Sequence, residues 1–297
     1  MSGDGADLDV SKQALALIAK GITDSLAELK ELGSVGSASM GGGMTRFEDL
    51  LGTDFEGNPT DDVDDVIHGG YDHPEHRERV ADLIQLLHDT SASDQHRYLA
   101  CLTLAAWGEA EGYQAVRQAA SNPRTVPWYD LVMDRKFSVD CSYGQFSAAV
   151  ADSRELAEEK NTSGLRLETF RSLIHIADRE YFEEKLGDYL DEAVVRACLP
   201  DIHDVVSRGL TSLTEGDPPR FDLPTQLVDL ANSVVAVAEE TGVQLVLQIL
   251  RAAPSERTMA HAVAAVHRAD GPIKNTLADY LYLNGSAHVR RLLADRG

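Results

Sequence analysis

The stretch His68–Arg79, HGGYDHPEHRER, gathers three of the chain's ten histidines beside Asp72, Glu75 and Glu78. Imidazoles and carboxylates at that density could ligate a metal or exchange protons. Zinc commonly takes ligands one helical turn apart. After His76, the positions three and four residues on hold Arg79 and Val80, so no second ligand shares its helix face. His68, His73 and His76 could converge only if the Gly69–Gly70 pair folded back as a turn. The same residues have a simpler use. Asp72 and Glu75 read as a capping box, with Pro74 in the first turn and Glu75 and Glu78 near the positive end of the helix dipole. The sequence therefore predicts a helix start here, with no metal and no cofactor.

DFEGNPTDDVDD, from Asp54, invites a calcium reading, but an EF-hand loop needs Gly sixth and Glu twelfth, and these positions hold Pro59 and Asp65. The expectation is an irregular acidic loop holding one short helix at most, whose Asp61, Asp62, Asp64 and Asp65 face a basic partner. Cys141 adjoins Asp140 in SVDCSYG, without a G-x-S-x-G elbow or a Cys–His signature, so no catalytic residue is named. The GGG at 41–43 is no phosphate loop, since no strand precedes it and no Lys-Ser/Thr follows. His175, His261 and His267 read as single helix residues, and Glu239–Glu240 as turn acids. Trp128 and Tyr129 differ in kind. They lie in VPWYDLV, where helical periodicity breaks beside DRKFSVDCSYGQF, and are candidate anchors for a protein partner.

A formal charge of −22 repels phosphate backbones and argues against nucleic-acid binding. Residues 1–90 hold 19 acidic and 6 basic side chains, whereas the stretch from Arg251 onward holds 7 basic and 4 acidic, so the charge is uneven. Apolar runs such as VQLVLQIL are far short of a membrane span, and MSGDGADLDV has no signal-peptide pattern, so a cytoplasmic location is expected. Cys101, Cys141 and Cys198 are too few and too scattered for a disulfide framework.

The elements that must position these residues read as helices. Leu15, Ile18, Ile22, Leu26, Leu29 and Leu32 recur at spacings of three and four, which predicts an amphipathic helix over 9–32 before the linker GSVGSASMGGGM. In 74–88, Val80, Leu83, Ile84 and Leu87 share a face. Four longer stretches then repeat one layout, an apolar helix, a short polar turn and a second amphipathic helix. They are RYLACLTLAAWGEAEGYQAVRQAAS, LRLETFRSLIHIADREYFEEKLGDYL, LVDLANSVVAVAEETGVQLVLQIL and TMAHAVAAVHRADGPIKNTLADYLYL. KFSVDCSYG is the one plausible extended piece. The expected organisation is a helix and linker over 1–45, an acidic loop over 46–72 and a helical repeat domain over 73–297.

These units, with the turns GEAEG, ADRE, AEETG and RADG, resemble HEAT-like helical repeats over about 95–297, less well at 124–160 and 191–222. The resemblance implies an all-α, right-handed α-solenoid. The stripe Leu15–Leu32 and SASMGGGM are similar to small helical proteins of actinobacterial type VII secretion clusters, although no Trp-x-Gly motif is present. The expected function is non-catalytic, a bacterial immunity-type or adaptor protein binding a basic protein. The alternative is a secretion-linked assembly component docking through helix 9–32. A HEAT-like enzyme such as a DNA glycosylase would need a cationic groove, which the charge opposes.

Overall fold

The computed structural model describes residues 43–295. The expected helix over 9–32, its linker and the glycines at 41 and 42 lie outside the described residues. Fifteen α-helices and one 3-10 turn (Pro123–Thr125) make up the described chain, and the only β pairing there is two isolated bridges, Thr53 with Pro59 and Met133 with Asp140. The all-α expectation holds, and KFSVDCSYG contributes one bridge rather than a strand. The chain divides into two compact units, Met1–His96 and Arg97–Gly297.

In the N-terminal unit, α1 (Gly43–Leu51) and α2 (Val63–Asp72) occupy much of the stretch 46–72 expected as an irregular acidic loop, and α3 (His76–His88) lies within the helix expected over 74–88. Helix α2 runs straight through Gly69 and Gly70. Its N-cap, Asp62, accepts a bond from Asp64 N (3.0 Å), and Val63, Val66, Ile67 and Gly70 form a buried stripe. Capping and burial together outweigh about 1 kcal/mol of propensity cost per glycine. The capping box at Asp72 and Glu75 therefore does not exist. Asp72 ends α2, and Glu75 precedes α3 with no side-chain cap bond. Arg79 of α3 instead reaches back to the end of α1, donating to the carbonyls of Leu50 (2.8 Å), Thr53 (2.7 Å) and Asp54 (2.8 Å). Its guanidinium satisfies carbonyls that a helix terminus leaves open.

The C-terminal unit contains α4 (Asp94–Ala106, the unit boundary falling within it), α5 (Ala110–Ser121), α6 (Ser142–Asp152), α7 (Arg154–Glu159), α8 (Ser163–Ile174), α9 (Leu186–Tyr189), α10 (Glu192–Glu215), α11 (Leu223–Val235), α12 (Glu239–Ala252), α13 (Glu256–Arg268), α14 (Ile273–Asn284) and α15 (Ala287–Ala294). Three of the four expected hairpins form: α4–α5, α11–α12 and α13–α14. The first two share a device. A Cβ on Gly112 would meet the backbone N of Ala105 at 2.4 Å, and one on Gly242 would meet Val235 N at 2.6 Å. Each second helix thus starts against the bare backbone of the first, and only glycine permits that approach.

Helix α11 is buried at Leu223 and at every position from Thr225 to Val235, and it packs on α9, α10, α12 and α13. Trp107, Tyr113, Tyr143, Phe146, Phe170 and Phe182 fill the centre of the unit. Cations close helix ends here as well, one buried and one half-buried. Arg166 donates to Val150 O (2.8 Å) and Ala151 O (3.2 Å) at the end of α6 and pairs with Asp191 (2.9 Å). Lys160 bonds Trp107 O (2.8 Å) and Glu109 (2.6 Å) in the α4–α5 turn.

The fourth hairpin does not form. Helix α8 stops at Ile174, and the stretch expected to be its partner is irregular until the single turn of α9. Residues 175–185 are fixed instead by side chains. Gln226 of α11, 1% exposed, donates to Ala177 O (2.7 Å) and Glu180 O (2.9 Å) and accepts from Phe182 N (2.7 Å). Asp178 accepts from Nε and Nη2 of Arg208, each at 2.9 Å, and the buried Glu184 pairs with Arg257. A helix through this stretch would strand Gln226 and these carboxylates in the core, so tertiary hydrogen bonding overrides the local apolar pattern.

Candidate functional site

The opening histidines separate rather than converge. His68 lies against Tyr71 (6.0 Å between centroids), and burial holds its imidazole below the usual range. His73 stacks on Phe55 (5.1 Å, 8°), and His76 is buried with Nδ1 2.9 Å from His73 O. Among the described residues no three His, Cys, Asp or Glu side chains are placed to hold a metal ion. The calcium-like loop also closes on itself. Asp54 accepts from Glu56 N (2.9 Å), Asn58 N (2.7 Å) and Asn58 Nδ2 (3.1 Å), which holds its carboxyl below the usual range.

The four aspartates offered for a partner have different fates at the start of α2. Asp61 and Asp65 are exposed, Asp62 is half-buried as the N-cap, and Asp64 is 6% exposed with Oδ2 unbonded. Burial, reinforced by the charges of Asp62 and Asp65, pushes Asp64 up to about 7. Asp64 therefore shapes the interior, and the side chains within reach of solvent are its neighbours.

The Trp128–Tyr129 pair divides in the same way. Trp128 is 5% exposed and packs on Tyr98 (6.4 Å) and Phe146 (6.4 Å). Tyr129 reaches a cleft of about 530 Å³ in the C-terminal unit, formed by the loop after α5, the irregular stretch after α8 and the loop after α10. Its hydroxyl donates to Glu180 Oε2 (2.9 Å), while Arg124 Nε lies 3.7 Å from Glu180 Oε1. Burial raises the Glu180 carboxyl, opposed by the Tyr129 bond and by the charges of Arg124 and Arg179.

Asp140 closes the loop behind it. Oδ1 accepts from Asp130 N (3.1 Å), and Oδ2 from Ser142 N (3.2 Å) and Ser142 Oγ (2.6 Å). Burial nevertheless pushes Asp140 up to about 7. Next to it, Cys141 is buried and donates to Val132 O (3.4 Å), and burial drives its thiol far above the ordinary range.

Backbone conformation singles out the same place. Five non-glycine residues have positive φ among the described residues, and four lie on the two loops beside this cleft: Asp130 (65°), Ser138 (54°), Glu183 (55°) and Glu184 (60°). Each costs on the order of 1–3 kcal/mol, and such outliers concentrate at ligand clamps.

The sequence pointed to Tyr129 but not to Arg124, Asp140, Arg179, Glu180, Arg220 or Gln226. A weak signal existed: ADRE carries three charges where a plain repeat turn needs none. No family model, curated protein or solved structure matches this chain.

Proposed function

We propose that the chain is a non-catalytic protein-binding module of immunity or adaptor type, which engages a basic protein through the acidic face of residues 48–78. Its scaffold on this reading is a HEAT-like stack of helical hairpins, a right-handed α-solenoid. The packing of α11–α12 on α13–α14 supports that stacking. The observation that carries the reading is local charge. Between residues 43 and 96, fourteen carboxylates accompany three arginines, and Arg79 among them is occupied by backbone carbonyls. Glu56, Asp61 and Asp65 are exposed, so their field reaches solvent and would steer a cationic partner. The non-catalytic part is supported by the thiols: all three are buried, and burial raises each, Cys198 to about 11, so none is poised as a nucleophile.

A nona-arginine peptide titrated into the full chain tests the reading. Glu56→Gln/Asp61→Asn/Asp65→Asn should weaken binding about tenfold or more, a loss of about 1.4 kcal/mol. The charge-matched control Glu155→Gln/Glu158→Gln/Glu159→Gln on α7 should change it less than about twofold. Equal losses in both variants would mean that only net charge matters, and the localised face would be abandoned.

A further inference from the structure

The cleft beside Tyr129 has an unusual hydrogen-bond balance. Its acceptors are largely occupied from within, since Glu180 is held by Tyr129 and Arg124, and both oxygens of Asp140 accept bonds from Asp130 and Ser142. Its donors are not. Arg179 and Arg220 both line the cleft, and among the described residues neither guanidinium has a hydrogen bond or ion pair. In a chain of net charge −22 most arginines find carboxylate or carbonyl partners, as Arg79, Arg166, Arg171, Arg208 and Arg257 do. Two open guanidiniums on one cleft therefore require an explanation.

Neither arginine hangs from a loose segment. Arg179 lies between Ala177 and Glu180, whose carbonyls Gln226 clamps, and it follows Asp178, which Arg208 grips. Arg220 follows Pro218 and Pro219, whose rings restrict the backbone, and precedes the buried Phe221. Arg124 adds a third guanidinium, with only Nε directed at Glu180. The exposed hydroxyl of Ser138 is a further donor on the wall. Against them stands Asp130, the one lining carboxylate without an internal bond to its side chain. Two forked donors of fixed charge match a dianion better than a single carboxylate, which would leave one guanidinium uncompensated.

We propose that this cleft is a binding site for a phosphate-class oxyanion, gripped by Arg179 and Arg220 with Arg124 at its edge. The site is independent of the acidic face in the N-terminal unit, so either can fail without the other. A volume of about 530 Å³ accommodates the anion together with the group that bears it.

Calorimetric titration of the full chain with inorganic pyrophosphate, with citrate in parallel, is the test. Pyrophosphate should saturate a single site. Arg179→Gln/Arg220→Gln should weaken it about tenfold or more, whereas Arg251→Gln/Arg291→Gln, two exposed arginines equally without partners, should leave it within about twofold. Fluorescence of the buried Trp107 and Trp128 checks that both variants are folded. A phosphoserine peptide in a third arm identifies the source. Binding tighter than pyrophosphate marks a modified protein, and weaker binding marks a small free anion. Absence of saturable heat, equal loss in both double variants, or citrate binding tighter than pyrophosphate each overturns the proposal.

Discussion

Gln226→Leu is the substitution that bears most directly on why residues 175–185 take the shape they do. Gln226 makes three hydrogen bonds to that stretch at 2.7–2.9 Å while only 1% exposed. Leucine has a similar volume, so the cavity contribution is small and the loss is of hydrogen bonds. Phe182 and Ala177 are fully buried and Glu180 is 5% exposed, so their freed backbone groups stay out of water. Three lost bonds at about 1 kcal/mol each, with partial stranding of the partners, give about 3–5 kcal/mol. Both tryptophans, Trp107 and Trp128, lie in the C-terminal unit, so tryptophan fluorescence during urea unfolding follows that unit alone. With a slope near 2 kcal/mol/M, a loss of about 4 kcal/mol lowers the midpoint by about 2 M. Gln226→Glu should also destabilise, because it keeps the acceptor for Phe182 N but turns a carboxylate on two carbonyls. A midpoint shift below about 0.5 M for Gln226→Leu would show that the stretch is not held by this side chain, and the account of its irregular fold would fall.

Three further outcomes follow from the same reasoning. Asp64, pushed up to about 7 by burial, is favoured protonated in the folded state, so its contribution is fully present below the unfolded value near 3.9 and is lost as pH rises through about 7. Asp64→Asn should therefore flatten the protection of the α2 amides against hydrogen exchange between about pH 4 and 7 and raise it at pH 8, by up to about 4 kcal/mol; an unchanged pH profile would refute the assignment. Arg257→Met removes the partner of Glu184, whose side chain is 3% exposed, and one partner of Asp222 (2.9 Å). The uncompensated buried charge should cost about 3–5 kcal/mol by urea unfolding, and Glu184→Gln in the same background should recover part of it. Gly112→Ala and Gly242→Ala each force a methyl against backbone nitrogen and should each destabilise by about 1–3 kcal/mol, additively, as read by thermal unfolding.

What the sequence determined by itself is local. Apolar residues at spacings of three and four, with glycine in the turn, suffice for α4–α5, α11–α12 and α13–α14, because a helix's buried face is written in its own period. Charge imbalance in the first third is likewise composition and needs no coordinates. Tertiary structure decided everything that depends on a distant partner. The stretch after Ile174 has the apolar pattern of a helix but is irregular, because Gln226, Arg208 and Arg257 come from 30 to 73 residues away to take its polar groups. Helix α2 crosses two glycines because Asp62 caps it and its stripe finds a core. Asp64 and Trp128 turn inward while Asp61, Asp65 and Tyr129 remain accessible, a distinction set by which face each element buries and not by residue type. The Arg124, Arg179 and Arg220 cleft joins three loops spread over about a hundred residues, and only the packing of the helices between them brings those guanidiniums together.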